Sequence, residues 1–240
     1  MLGWQDIKQR YRRSKIGPFW LTLSYGIMIA AMGPLYGRLL QQDIGAYLPY
    51  LATSFVAWML LSGIIIDACG AFTGAEGYIK QVKLPLTVYV LRVVWKNLII
   101  FGHNLIIVFL VILWFQPSLN WSLLAIPLAV LMVALNGVWV GLLFGLLCAR
   151  FRDVPQVITS LVQVVFFLTP VMWRPEMLGR KQWVVELNPL YHFLEIMRAP
   201  LLSGGAPTSS WVAVIATTLI GFPITLLIFS RYRARVAYWM

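Results

Sequence analysis

The sequence predicts an all-α integral membrane protein. Six helices cross the bilayer, a further helix lies in the interface at the N-terminus, and short re-entrant helices sit at the outer face. Three observations lead there. First, 60% of the 240 residues are hydrophobic and 11% are charged, against about 25% charged in an average soluble domain. Such a chain lacks the polar surface to cover itself in water, so lipid is the natural solvent for the excess. Second, the apolar residues gather into six runs long enough to span a hydrocarbon core of about 30 Å at a helical rise of about 1.5 Å. Third, the basic residues fall in short clusters between the runs. The length suits one membrane domain covering residues 1–240.

The runs cover about 19–36, 47–69, 84–115, 121–149, 154–173 and 211–230. Helix is required because lipid offers no partner to an open backbone. The third run is too long for one straight span, so its start lies in the interface or the helix tilts. Residues 1–16 read as an interfacial helix. Trp4, Ile7 and Tyr11 share one face within about 60° on a helical wheel, with Asp6, Arg10 and Arg13 opposite. Gly17-Pro18 ends that helix and starts the first span. Between the fifth and sixth runs, residues 174–205 form amphipathic pieces broken by Pro189 and closed by Ser203-Gly204-Gly205. Two short helices dipping into the outer leaflet fit them better than an open loop.

Orientation follows from Lys and Arg. Clusters at Lys8–Lys15, Lys80 and Lys83, Arg150 and Arg152, and Arg231–Arg235 all fall on one side if there are six spans. The positive-inside rule then makes both termini cytoplasmic. Trp20, Tyr36, Tyr47, Trp114, Trp121, Trp173 and Trp211 at run ends suit an interfacial aromatic belt. A formal charge of +11 would suggest nucleic acid in a soluble protein. Here topology accounts for it, and no nucleic-acid partner is expected.

Catalytic signals are weak. The chain has no Gly-x-x-x-x-Gly-Lys-Ser/Thr phosphate loop, no Gly-x-Ser-x-Gly and no His-Glu-x-x-His. His103 and His192 read as structural. Cys69 and Cys148 show neither disulfide nor metal-ligand spacing, so no catalytic residue and no metal site are expected. Arg92, Lys96 and His103 lie within about 40° of one another on the third helix and make a basic stripe running into the membrane. Two readings stand. The charges pair, with Asp67 as a candidate, or snorkel to the interface; alternatively they form an electropositive track for a phosphate-bearing headgroup. Asp153 is a candidate N-cap of the fifth helix, with Pro155 in its first turn.

The residues from Asp6 to Trp20 (DIKQRYRRSKIGPFW) resemble the entry motif of ABC-2 type polysaccharide export permeases. These are the Wzm-like subunits for O-antigen, with capsule and teichoic acid relatives. Arg150-Phe151-Arg152-Asp153-Val154 resembles that family's turn before its fifth span. Leu168 to Trp173 (LTPVMW) and Leu187-Asn188-Pro189-Leu190 resemble the motifs that follow. The ordered set covers nearly the whole chain. Family members usually have more residues before the entry motif, so the interfacial helix is shortened here or the start codon is misassigned.

The resemblance implies a bacterial inner-membrane homodimer that is not itself an enzyme. Two copies of a Wzt-like ATPase subunit would bind ATP and Mg, with no cofactor in this chain. Gly74, Glu76, Tyr78, Ile79 and Lys80 would form the helix that couples to the ATPase. Arg150, Arg152 and Asp153 would make a second contact, and the pieces in 174–205 would be gate helices. The cargo would be an undecaprenyl-diphosphate-linked polysaccharide. Such a polymer needs a wide path with aromatic and hydrogen-bonding groups. Thr22 and Tyr25 on the first span, with Thr159, Gln163, Phe166 and Phe167 on the fifth, are candidates to line it. Arg10, Arg12, Arg13, Arg92 and Lys96 are candidates to meet the diphosphate. The alternatives are an ABC-2 exporter of drugs or other lipids, and a membrane enzyme acting on lipid-linked sugars. An enzyme would show clustered acids, Arg or His on an outer loop.

Overall fold

A computed structural model describes residues 19–82, 84–116, 120–202 and 204–239. The helix expected over residues 1–16, and with it Arg10, Arg12 and Arg13, lies outside the described residues. In chain order the helices are α1 (Phe19–Leu39), α2 (Ile44–Cys69), the short α3 (Glu76–Gln81), α4 (Leu86–Phe115) and α5 (Ala125–Arg150). Then come α6 (Val154–Leu168), the short α7 (Trp183–Glu186), α8 (Pro189–Leu202), α9 (Thr208–Tyr232) and the short α10 (Val236–Trp239). The described residues contain no strand.

Five of these helices are long and apolar enough to cross a membrane: α1, α2, α4, α5 with the 3-10 turn before it, and α9 continued to Trp239. The third run is one unbroken helix of 30 residues, about 45 Å long. The run at 154–173 behaves differently. Its helix α6 has 15 residues, about 22 Å, which is short of a span. Pro170 is the local cause, since a proline pushes the residue before it out of helical geometry. Thr169 accordingly turns to ψ 135°.

The stretch beyond α6 is non-helical, yet its carbonyls find partners from distant helices. The Tyr47 hydroxyl donates to the Met172 carbonyl at 2.7 Å. The Tyr50 hydroxyl shares its proton between the carbonyls of Pro170 and Trp173, at 2.9 and 2.7 Å. The Arg198 guanidinium donates to Pro170 at 2.8 Å. Irregular backbone is tolerated in a membrane domain on these terms. Tyr47 is therefore fully buried. It is a structural strut, where the sequence suggested a belt residue. Trp114 and Trp121 are 83% and 90% exposed, as belt residues should be.

Helix α2 is the axis of the molecule. Two thirds of its apolar stretch is buried, against 11–22% in the other four long helices. It packs on α1, α4, α5, α6 and α8. Its start is set by Asp43, whose carboxylate accepts from the Ala46 N–H at 3.0 Å. Helix α5 approaches closely because Gly137, Gly141 and Gly145 form one small-residue stripe. A Cβ at Gly137 would lie 3.1 Å from Ile64 of α2 and 3.2 Å from Val94 of α4. Buried polar ties add direction. Thr22 donates to Asn104 at 2.9 Å between α1 and α4. Asn136 donates to Thr218 at 2.7 Å between α5 and α9, and the Trp139 indole donates back to Asn136 at 2.7 Å. Cys69 and Cys148, 79 residues apart in the chain, are buried free thiols and neighbours across α2 and α5.

The bundle has two distinct ends. One carries α3, the α5–α6 turn and α10, joined by an apolar cluster of Ala71, Phe72, Ala75, Leu146 and Val236. The other carries the α1–α2 turn, the stretch after α6, α7 and the start of α9. There Gly204 and Gly205 adopt φ of 83° and 150°. That left-handed backbone favours glycine and ends α8 before the chain turns into α9.

Candidate functional site

At the first end, Phe72 and Ala75 bury into the apolar cluster and force the following residues outward. Gly74 lies exposed in the 3-10 turn Thr73–Ala75. Helix α3 then presents Glu76, Tyr78 and Lys80 outward, with Tyr78 53% exposed, while Ile79 packs against the cluster. Lys80 and Glu76 pair at 2.6 Å, one turn apart. The Lys80 hydrogen bond, then the charges of Lys80 and Arg152, hold the Glu76 carboxyl below its ordinary pKa. Arg152 therefore lies close enough to α3 to be felt there.

Arg150 rests over Phe151 and Trp239, at 5.1 and 5.5 Å from their ring centroids. The two turns singled out in the sequence thus meet on one surface. Phe151, part of the Arg150–Val154 motif, and the C-terminal α10, which had no motif to mark it, also belong to it. Asp153 departs from expectation: it occupies the N-cap position in helical geometry, and its side chain makes no capping bond. Its backbone carbonyl takes the Gln156 and Val157 N–H groups instead. Pro155 does sit in the first turn of α6.

The residues considered for a polymer path fall on α1 and α6, both of which pack on α2. Thr22 is buried against Asn104, and Tyr25 is half-buried. On α6, Thr159 donates to the Pro155 carbonyl of its own helix at 2.9 Å. Phe166 packs on Phe55 and Trp58 of α2, each 5.6 Å away. Gln163 and Phe167 are exposed, Phe167 by 70%.

The basic stripe on α4 resolves into separate environments. Lys96 pairs with Asp67 of α2 at 2.8 Å, and Asn97 donates to the same carboxylate oxygen at 2.8 Å. His103 stays on its own helix, 2.7 Å from the Ile99 carbonyl, with Phe19 edge-on at 5.3 Å. Arg92, Lys96, Asp67 and Tyr89 line a cavity of about 260 Å³ that reaches Gly74. The buried Tyr89 hydroxyl in its wall has no hydrogen-bond partner among the described residues. Pairing with Asp67 is thus the arrangement present at Lys96.

The opposite end holds a polar cluster that sequence reading passed over as an amphipathic helix. Arg198 on α8 is 3% exposed. It pairs with Glu195 one turn back and donates to Ser54 of α2 at 3.0 Å. Its guanidinium carbon lies 4.4 Å from the Tyr50 ring centroid, and that of Arg174 lies 5.1 Å from the same ring. The signal available beforehand was Glu195-x-x-Arg198, an ion pair at helical spacing in a chain almost without charge. His192 on the same helix is bound on both nitrogens, to Ser210 at 3.0 Å and to the Glu186 carbonyl at 2.8 Å.

Comparison with known proteins accords with this architecture. The profile of the family described as ABC-2 type transporter matches residues 1–202. The chain belongs to that family. The family consists of transporter membrane subunits and not enzymes, and membership implies a partner ATPase subunit. The protein is a multi-pass membrane protein. Among its relatives is the O-antigen export system permease protein RfbA of Klebsiella pneumoniae, 24% identical over 237 residues, or 97% of this chain and 91% of the relative. RfbA of Myxococcus xanthus is 19% identical over 90% of this chain and 84% of its own length. The polysialic acid transport protein KpsM of Escherichia coli is 20% identical over 83% of this chain and 79% of its own length. This ABC-2 subunit is therefore homologous to polysaccharide export permeases along most of its length.

Proposed function

We propose that this ABC-2 chain is the permease of an exporter that moves an undecaprenyl-diphosphate-linked polysaccharide across the bacterial inner membrane. Two copies would form the path, driven by a Wzt-like ATPase that binds ATP and Mg. The observation that carries the reading is likeness to O-antigen export permeases over 97% of the chain. The joined surface of α3, the α5–α6 turn and α10 supports it. A six-residue helix held by an ion pair, with an exposed tyrosine and basic residues beside it, suits docking of a soluble partner. Lys80, Arg150, Arg152, Arg233 and Arg235 gather at that end, which supports a cytoplasmic placement of it and of the C-terminus.

In this reading residues 174–205 act as gate helices at the outer end. The α1 and α6 faces carrying Tyr25, Gln163 and Phe167 line the path once two chains associate. Arg92, with Lys96 beside its Asp67 partner, faces the diphosphate at the cytoplasmic end, together with Arg10, Arg12 and Arg13. Deletion of the gene tests the reading. Export predicts loss of surface polymer with accumulation of the same lipid-linked polymer inside the cell. Loss of the long polymer itself, with single units remaining, would identify a polymerising enzyme instead.

A further inference from the structure

At the end of the bundle opposite α3, a cavity of about 530 Å³ opens between the start of α2, the stretch at 174–176 and α8. Its size falls within the roughly 300–1,000 Å³ common for small-molecule sites. Six side chains give its wall a definite chemistry: Tyr50, Arg174, Glu176, Tyr191, Glu195 and Arg198. Pro49, Pro175 and Leu202 line part of the remainder, and Gly45, Ala46 and Ala199 leave space open by their small size.

The arrangement is built. Arg198 is held by Ser54 at 3.0 Å and the Pro170 carbonyl at 2.8 Å, and it holds Glu195 in turn. Arg174 is tied to the Ala46 carbonyl at 3.1 Å. Its Nε is buried and makes no hydrogen bond among the described residues. Burying ion pairs in a membrane domain is costly where apolar packing would serve stability as well. Arg198 already serves the Pro170 carbonyl; Glu176 and Tyr191 add polar groups to the same wall, and a concave space with convergent polar groups points to a ligand.

The charges identify the class of ligand. Two guanidinium groups face two carboxylates, so the wall carries no net charge and offers an anion no particular advantage. It presents strong donors and strong acceptors side by side, which matches a group that both donates and accepts. Vicinal hydroxyls of a sugar do this. The Tyr50 ring already carries Arg174 and Arg198, so Tyr191 is the aromatic surface we assign to the C–H face of a ring. Burial, with Glu195 adding to it, pushes the Tyr191 phenol up to about 12, and its hydroxyl stays a donor at neutral pH.

We propose that this cavity is a carbohydrate-binding site that engages one or two sugar rings of the exported polymer at the outer end. The proposal rests on the export reading above and adds to it a specific contact with the cargo. Hydroxyls donate to Glu195 and Glu176, accept from Arg174, and one ring face lies on Tyr191.

The test uses the chain with its partner ATPase in lipid nanodiscs. The probe is a lipid-free, radiolabelled oligosaccharide of two to four sugars, cut from the producing cell's own surface polysaccharide, and binding is read by equilibrium dialysis. The native complex is expected to bind saturably. Arg174→Gln, Tyr191→Ala and Glu195→Gln are expected to weaken binding about tenfold or more. Lys181→Gln, at an exposed position outside the cavity, is expected to leave it unchanged. Arg174→Gln and Tyr191→Ala alter the wall without touching the bonds that anchor Arg198, so they serve even where Glu195→Gln fails to fold. Unchanged binding in these two folded variants overturns the proposal, as does stronger competition by inorganic pyrophosphate than by unlabelled oligosaccharide. If gene deletion traps polymer inside the cell while the variants bind and export normally, the carbohydrate site falls and the export reading stands. If deletion leaves surface polymer intact, the export reading falls and the site falls with it.

Discussion

Arg198 lies with its guanidinium carbon 4.4 Å from the centroid of the Tyr50 ring, and the Tyr50 hydroxyl reaches the carbonyls of Pro170 and Trp173. Three segments far apart in the chain are tied at this point: the start of α2, the non-helical stretch after α6, and α8. Arg198→Met keeps much of the side-chain volume and removes the charge, leaving the largely enclosed Glu195 without its partner. The expected cost is about 3–5 kcal/mol. The double variant Glu195→Gln/Arg198→Met should recover part of it. Unfolding of the purified chain in mixed micelles measures both; equal stability of the single variant and the native chain would show that the pair carries no weight.

The contact between α5 and α9 depends on Gly221. A Cβ there would collide with the Trp139 indole, whose Cζ2 would lie 2.7 Å away, and Trp139 holds Asn136 in its bond to Thr218. Gly221→Ala is expected to cost about 1–3 kcal/mol by overpacking. Gly74→Ala meets no atom within 4 Å and should stay within about 0.5 kcal/mol of the native chain. Thermal unfolding of the two variants side by side makes the comparison.

Asp67 and Lys96 link α2 and α4 in a partly buried ion pair, with side-chain exposures of 29% and 18%. A double-mutant cycle of Asp67→Asn and Lys96→Met is expected to yield a coupling of about 0.5–3 kcal/mol. A coupling near zero would mean that Asn97, bound to the same carboxylate, is the partner that matters.

Glu76 governs the acid response of α3. Lys80, by hydrogen bond and charge, then Arg152, hold its carboxyl below the usual range. A lowered folded value contributes stability that is present above the unfolded pKa of about 4.3 and is lost as pH falls through the folded value. The group stands at the surface, so the effect is local and small. Hydrogen exchange of the α3 amides should be flat in its opening term from about pH 5 to 8 and loosen only in stronger acid. Glu76→Gln should remove that transition.

If the surface around α3 seats an ATPase, Tyr78→Ala and Arg152→Ala should weaken the partner's attachment and reduce export several-fold. As surface changes they should alter the stability of the chain itself by no more than about 0.5 kcal/mol. Co-purification of the ATPase and surface polymer staining report the two effects. Full attachment in the double variant would place the docking surface elsewhere.

Much of this protein is legible in its sequence because lipid makes strong demands on composition. The five long helices coincide with apolar runs to within a few residues at most ends, since each must satisfy its own backbone in a solvent that cannot. Pro170, Gly204 and Gly205 mark breaks by their own backbone limits. The turn at 74–81 and the one at 150–153 stood out as short, patterned and basic, and the structure brings them together.

What the tertiary structure alone decided are the meetings of residues with no local signature. Tyr50 finds Trp173 across 123 positions, and Arg198 finds Ser54 across 144. Such pairings turn the truncated end of the fifth run into a supported non-helical stretch and an amphipathic helix into one wall of a polar cavity. Trp239 joins the surface of α3 in the same way, through Arg150. Helical periodicity records which face of a helix is apolar, but not which distant group that face will meet. A charged residue in an apolar helix therefore announces that it needs a partner, and only packing of the helices supplies one.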